Sequence, residues 1–273
     1  MESVGIVQMT SGSEPLENLA FIDIQLQQLA EEGAKLVLTP ENSIIFGSKS
    51  DYQKHAEVLG SGNLQDALAA LARKYRLWLV IGSMPIRSGD SISTTTLVYN
   101  SDGDRVCHYD KLHMFDVDVD DQHSRYRESE VFTPGQAVAV VDTPVGKLGL
   151  TICYDLRFPH LFSLLRDKGA QIISVPAAFT ATTGEAHWET LLRARAIETQ
   201  CWVVAAAQTG KHPCGRETWG HSMIINPWGE ITQQTYGEVG TINDEIDHRV
   251  TNSVRINMPL LTHARFQSHL KTE

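Results

Sequence analysis

Cysteine is scarce: four residues in 273, at Cys107, Cys153, Cys201 and Cys214, with no C-x-x-C pair among them. That excludes a disulfide framework, which a chain of this size does not need for stability. Long apolar runs are missing as well. The most apolar stretches, such as residues 201–207, fall far short of the ~20 residues that cross a bilayer. Basic residues are outnumbered, 23 Lys and Arg against 33 Asp and Glu, for a formal charge of -10. A phosphate backbone or an anionic membrane would be repelled, and no basic patch offsets this, so neither nucleic acid nor membrane is an expected partner. An acid stands second in the chain, where a secretory signal carries Lys or Arg, so export is not expected, and the scattered cysteines fit a reduced, cytoplasmic setting. No linker rich in Pro, Gly or Ser and no low-complexity segment interrupts residues 1–273, which reads as one domain with a short C-terminal tail. The histidines, including His108, His113, His123, His187 and His221, show no zinc-ligand spacing. The acidic run from Asp116 to Asp121 lacks the glycine and the bidentate acid of a calcium loop, since Asp121 and Arg127 stand in those places. It reads as an acidic loop, and no metal is expected.

What is present is a soluble globular composition, 42% hydrophobic and 21% charged, with strand-like and helix-like runs alternating throughout. Strands are expected at residues 4–9, 35–39, 77–81, 95–99 and 105–109, with helices through Leu19, Ile22, Leu26 and Leu29 and over residues 64–76. The second half follows the same plan, with strands at residues 137–141, 147–152 and 171–175 and a helix through Leu161, Leu164 and Leu165. Gly33-Ala34-Lys35-Leu36-Val37-Leu38-Thr39-Pro40 matches Gly169-Ala170-Gln171-Ile172-Ile173-Ser174-Val175-Pro176 in residue type, and Leu77-Trp78-Leu79-Val80 resembles Cys201-Trp202-Val203-Val204. Two such halves packed sheet to sheet, helices outside, give an α/β fold of four layers, α-β-β-α, with both proline-terminated strand ends close together.

Three residues at strand ends carry chemistry. Cys153 stands where an apolar strand stops and a proline-initiated helix follows. A thiol at such an elbow projects from the sheet, and the helix's free N–H groups are expected to lower its pKa and to donate to an oxyanion. Taken alone, a cysteine at a strand end is as readily a small core residue, the default for the other three. Glu41 follows Pro40 at the end of the matching strand, where a partly desolvated carboxylate could take a proton from a thiol and return it to a leaving amine. Lys111 follows another strand and, facing Cys153, would stabilise both thiolate and oxyanion. Alone, each would read as an ordinary surface charge.

Together the segments say more. Pro40-Glu41-Asn42, Tyr109-Asp110-Lys111-Leu112-His113 and Ile152-Cys153-Tyr154-Asp155-Leu156-Arg157-Phe158-Pro159 resemble, in order and spacing, the three signature segments of the nitrilase superfamily. The resemblance implies a Glu-Lys-Cys triad on an α-β-β-α sandwich, a homodimer or larger assembly, and no cofactor. It also implies a second glutamate near the site, for which Glu128 matches better than Glu130. The segments running from His187 to Cys201 and from Trp219 to Gly229 are similar to the deaminated glutathione amidase branch. The omega-amidase branch shares less around residues 191–200. His160 stands where an acid usually follows Phe-Pro, and His263-Ala264-Arg265 departs from the usual pair of arginines. By this resemblance the substrate is a small-molecule amide, with Tyr154 offering its backbone N–H, and Arg157, Phe179 and Thr183 forming pocket walls or a carboxylate anchor. A non-catalytic scaffold of the same fold is the rival, disfavoured because all three triad residues are intact.

Truncation at the nucleophile separates these readings. Cys153→Ala should abolish amide hydrolysis, by roughly a million-fold, with the fold intact by circular dichroism, whereas Ser or Ala at the other three cysteines should keep activity. Substantial turnover by purified Cys153→Ala would remove Cys153 from the role.

Overall fold

The computed structural model describes residues 2–121 and 124–271; His123 therefore lies outside the described residues. In chain order the strands of the first half are β1 (Glu2–Gln8), β2 (Ala34–Leu38), β3 (Glu57–Val58), β4 (Trp78–Ser88), β5 (Ser91–Tyr99) and β6 (Arg105–Asp110). They form one sheet in the order β1-β2-β4-β5-β6, with β3 on the far end of β4. Its other edge is completed by a late strand described below. Helices α1 (Pro15–Glu31) and α3 (Asn63–Tyr75) cover its outer face, while the short α2 (Lys49–His55) follows the turn that carries Glu41.

After a hairpin of β7 (Asp116–Asp118) and β8 (Arg125–Arg127), the second sheet is built from β9 (Val140–Thr143), β10 (Gly146–Leu150), β11 (Ile172–Ser174) and β12 (Trp202–Ala205). Helices α4 (Pro159–Asp167) and α5 (Ala181–Thr199) cover it. A second hairpin, β13 (Thr209–Lys211) with β14 (Glu217–Trp219), precedes β15 (Met223–Ile225) and β16 (Ile231–Gln234), which extend that sheet in the order β16-β15-β12-β11-β10-β9. Finally β17 (Gly240–Ile246) returns to pair antiparallel with β1, before α6 (His248–Asn257) and α7 (Leu260–His263). One chain thus stitches both sheets at its end.

The alternation of side chains along each strand divides the core in two. Val4, Ile6, Leu36, Leu38 and Val80 face inward and pack with Leu148, Leu150, Ile172 and Trp202 of the second sheet. Their neighbours Val7, Val37, Leu79 and Ile81 face outward onto the helices, where they join Ile22, Leu26, Leu29, Leu68 and Ala72. A strand buried on both faces needs a nearly continuous apolar run, which is what residues 36–38 and 172–175 supply. The result is the four-layer α-β-β-α sandwich. The internal repeat is structural too: parallel pairing sets Leu36 opposite Trp78 and Ile172 opposite Trp202, the same register in both halves.

Some expected bounds move. β4 runs on to Ser88 past a register irregularity between Ile81 and Met84, and the strand expected at residues 137–141 begins at Val140. The expected acidic loop is in part strand β7, whose Asp118 pairs with Arg127 across the hairpin at 2.9 Å, while Asp116 accepts the Ser129 N–H at 3.0 Å. His160 meets Ser268 of the tail at 3.3 Å.

Helix α5 is not among the expected elements. Its buried stripe is Gly184, Trp188, Leu192, Arg195, Ala196 and Thr199, spaced for a helix but carrying too few apolar side chains for periodicity to reveal it. Arg195 is accommodated because its guanidinium donates twice to the Leu156 carbonyl, at 2.9 and 2.8 Å. Gly184 is where β14 presses against α5: a Cβ there would lie 2.2 Å from the Cβ of Trp219. Gly184→Ala should therefore destabilise by about 1–3 kcal/mol and lower the thermal midpoint by a few to about ten degrees. Gly237→Ala, with nothing within 4 Å of the added carbon, serves as the neutral control in the same melts.

Candidate active site

The end of β2 and the beginning of the turn after it are held by close backbone approach. Gly82 of β4 passes so near that a Cβ would lie 2.3 Å from both the Thr39 and Pro40 carbonyl oxygens, and the Gly82 N–H donates to Thr39 Oγ1 at 3.0 Å. Glu41 follows, and Asn42 takes a left-handed φ of 57°, its N–H donating to Ser83 Oγ at 2.8 Å. Lys111 is fixed from both sides: its N–H donates to the Thr94 carbonyl at 2.9 Å, and its own carbonyl accepts the Gly135 N–H at 2.8 Å. These anchors all hold the main chain, two of them through the Thr39 and Ser83 hydroxyls.

Cys153 opens a 3-10 turn, Cys153–Arg157, just after β10. Its φ of 48° is uncommon for a residue with a side chain and marks local strain at a sharp elbow. The Cys153 N–H donates to the Pro176 carbonyl at 2.8 Å, which ties the elbow to the proline-terminated end of β11. Asp155, wholly buried, ties the same elbow to the Lys111 segment. One of its oxygens accepts the Ile152 N–H (2.9 Å) and the Tyr109 hydroxyl (2.7 Å). The other accepts the His113 N–H (3.2 Å) and ring Nδ1 (2.6 Å), and the His113 ring stacks on Phe158 with centroids 3.6 Å apart.

The side chains expected to act together are together. Lys111 Nζ lies 2.8 Å from Glu41 Oε1 and 3.0 and 2.8 Å from the two oxygens of Glu128. Glu128 is held in turn by the Phe115 N–H at 2.7 Å and the Thr94 hydroxyl at 3.3 Å. Glu130, its neighbour, points away to Arg125 at 3.3 Å. Cys153 stands close enough to Glu41 and to the Ala178 backbone for both to influence its thiol. Cys153, Glu41 and Lys111 are 7%, 5% and 2% exposed, so their mutual charges are poorly screened.

Electrostatics correct one expectation. Burial, reinforced by the Glu41 carboxylate, pushes the Cys153 thiol well above its ordinary value, although Lys111 and the Ala178 N–H pull the other way. The elbow's N–H groups do not prevail: burial and the neighbouring Glu41 carboxylate favour the thiol over the thiolate. For Lys111, burial disfavours the ammonium, but Glu128, Glu41 and Cys153 outweigh it and hold the group well above its usual pKa. Burial raises Glu128, helped by the charge of Glu41 and opposed by Lys111.

All four residues line a cavity of about 390 Å³, large enough for a small organic ligand. Tyr154, Arg157, Phe179 and Thr183 line it as well. Arg157 lies over the Phe179 ring, 5.2 Å from its centroid, and reaches His187 Nδ1 at 3.3 Å. Thr183 sits in the first turn of α5, its N–H on the capping Thr180 hydroxyl at 3.3 Å. Among the described residues no three His, Cys, Asp or Glu side chains are grouped to hold a metal ion, and no helix is long and apolar enough to cross a membrane.

Comparison with known proteins identifies the family. The profile of the family described as carbon-nitrogen hydrolase matches residues 3–256. The chain belongs to the carbon–nitrogen hydrolase family. It is 49% identical over 98% of its length to a deaminated glutathione amidase of Yersinia enterocolitica, covering 94% of that protein. It is 33% identical to a chloroplastic omega-amidase of Arabidopsis thaliana, over 94% of this chain and 71% of that one. The crystal structure of the Caenorhabditis elegans NitFhit protein superposes with a TM-score of 0.92 at 37% identity, over 99% of this chain and 67% of that one. The fold is thus of the nitrilase type, and the chain is a hydrolase of carbon–nitrogen bonds.

Several lining residues of this hydrolase escape the sequence reading. Arg125, Tyr126 and Arg127 of β8, and Cys214 and Arg216 between β13 and β14, all border the cavity. Cys214 is exposed, contrary to the default expectation of a core residue, because the turn that carries it faces the cavity. A thiol-labelling experiment must therefore separate two cysteines by peptide mass.

The opposing influences on Cys153 give a two-sided test. In Glu41→Gln the negative neighbour is gone, so the pH profile for alkylation of Cys153 should move down in pH while hydrolysis falls by about 10²–10⁴-fold for want of a base. In Lys111→Met the same profile should move up. Identical alkylation profiles in wild type and both variants would disprove the proximity on which the site depends.

Proposed function

We propose that Cys153, Glu41 and Lys111 are the catalytic triad, that Glu128 positions Lys111, and that the substrate is deaminated glutathione, cleaved to 2-oxoglutarate and cysteinylglycine. The observation that carries the catalytic part is the contact of one buried ammonium with both carboxylates, of which Glu41 lies near enough to the thiol to raise its pKa. Glu41 takes the Cys153 proton as sulfur attacks the amide carbon. The oxygen becomes negative beside Lys111 and the Tyr154 N–H, one of the leading donors of the 3-10 turn that lack an intrahelical acceptor. Lys111 has three protons: one meets Glu41, one can lie between the two Glu128 oxygens, and the third is then directed at the oxyanion. The C–N bond breaks as the amine takes the proton from Glu41. Water, deprotonated by the same carboxylate, adds to the thioester, and collapse returns the proton to sulfur and releases the acid. The sum is amide plus water to acid plus amine, with no cofactor.

Identity to the Yersinia amidase supports the substrate. So does Arg157, four residues from the nucleophile on the same 3-10 turn, which with Thr183 and Phe179 suits the carboxylate and chain of a 2-oxo acid acyl group. The omega-amidase likeness favours 2-oxoglutaramate as the second reading. Residues 1–273 are read as one hydrolase domain with a short tail. A homodimer is proposed by family analogy, supported by the exposed Ile197 of α5 and Trp228 beside it; sedimentation as a single chain at micromolar protein would count against it. A cytoplasmic setting suits four free thiols.

With one preparation, kcat/KM should rank deaminated glutathione above 2-oxoglutaramate, and both above any nitrile, because contacts to the dipeptide arm position the amide for attack. Preference for 2-oxoglutaramate would establish the omega-amidase reading instead, and preference for a nitrile would overturn the amidase assignment.

A further inference from the structure

Arg216 takes no part in the chemistry above, yet it is built into the cavity. It closes the turn between β13 and β14, where the His212 N–H donates to the Arg216 carbonyl and the Gly215 N–H to the His212 carbonyl, both at 2.8 Å. His212 anchors this turn. Its Nδ1 lies 2.8 Å from the Ser11 carbonyl oxygen and its Nε2 2.8 Å from Thr218 Oγ1. A carbonyl can only accept, so Nδ1 carries the proton and Nε2 accepts from the hydroxyl. Burial keeps the ring neutral, pulling its pKa from 6.5 to about 4.

The Arg216 guanidinium lies over two rings, 4.7 Å from the centroid of Phe46 and 5.1 Å from that of Tyr126. Stacking of this kind orients a guanidinium and leaves its in-plane N–H groups for an anion. Arg127 has Asp118 at 2.9 Å and Arg125 has Glu130 at 3.3 Å, but among the described residues no carboxylate lies within ion-pair reach of Arg216. In a chain with ten more acids than bases, a half-buried arginine at the cavity wall without an acid partner calls for an anion from outside. Arg157 stands against Phe179 and His187, Arg216 against Phe46 and Tyr126, so the two cations belong to different walls.

We propose that Arg216 determines specificity on the leaving-group side, by receiving the terminal carboxylate of the dipeptide amine. The inference rests on the reading of deaminated glutathione as substrate. That molecule carries one carboxylate on the acyl part and a second at the far end of the dipeptide, two residues and roughly 7 Å beyond the scissile nitrogen when extended. Arg157 suits the first, and the second needs a cation on another wall. A bidentate carboxylate contact would also hold the dipeptide arm while the amine departs. 2-Oxoglutaramate, with ammonia as its leaving group, has nothing to offer Arg216.

The test compares three substrates in wild type, Arg216→Gln and Arg216→Lys: deaminated glutathione, its C-terminal carboxamide and 2-oxoglutaramate. Wild type should prefer the acid over the carboxamide by about 10- to 100-fold in kcat/KM, mostly through KM. Arg216→Gln should lose most of that preference, and Arg216→Lys should regain part of it. Equal losses on acid and carboxamide in Arg216→Gln would mark Arg216 as merely structural and overturn the proposal. So would a wild type that cleaves deaminated glutathione but does not distinguish it from the carboxamide, a result that leaves the substrate reading standing and needs no variant to fold. A wild type that hydrolyses 2-oxoglutaramate but not deaminated glutathione would overturn both.

Discussion

Burying a carboxylate away from water costs several kcal/mol even after the surroundings relax, and this site holds one buried and one half-buried carboxylate together with a buried thiol. Lys111 is the only cation in direct contact with both Glu41 and Glu128 among the described residues, and the arrangement depends on it. Such a cluster contributes little net stability, since an apolar replacement of the same shape would often do as well. Its value lies in what the charges do to one another. Glu41 stays beside the thiol, Lys111 stays charged at any ordinary pH, and Glu128 keeps the ammonium from swinging wholly onto Glu41.

Holding three long side chains to this precision requires rigid backbone beneath them. The structure supplies it by close approach, at Gly82 against Thr39 and Pro40 and at Gly135 against Asp110, where no side chain could stand. Asp155 then locks the Cys153 elbow to the Lys111 segment through Tyr109 and His113. Two of the three signature segments thus carry residues whose work is to hold each other: Tyr109 and His113 flank Lys111, and Asp155 follows Cys153.

Those residues explain how far the sequence can be read. Cys153, Glu41 and Lys111 are legible because strand-ending patterns place each at a sheet edge and the family resemblance ties them together. The repeat of residues 33–40 at 169–176 is legible because buried parallel strands need continuous apolar runs. The direction of the thiol's pKa is not, since a motif shows the N–H groups of an elbow but neither the depth of burial nor the distance to Glu41. Helix α5 hides because Gly184, Arg195 and Thr199 occupy its buried stripe. The turn carrying Arg216 hides for another reason: Pro213 and Gly215 read only as a loop, and which way a loop faces is decided by remote partners such as Ser11 and Phe46.

Charge distribution, rather than total charge, decides what this cavity can admit. A formal charge of -10 argues against anionic polymers, which sample the average surface, but a small anion in a half-enclosed cavity responds chiefly to groups within a Debye length, about 8 Å at physiological salt. There Lys111 offsets part of the charge of Glu41 and Glu128, and four arginines, at 125, 127, 157 and 216, line the wall. Two of these already have acid partners and contribute little field of their own. Among the described residues Arg157 and Arg216 do not, and each lies against aromatic rings instead of a carboxylate. An acidic protein can thus admit a small dianion, because its negative charge is spread over the surface while positive charge without a carboxylate partner among the described residues is concentrated at the cavity.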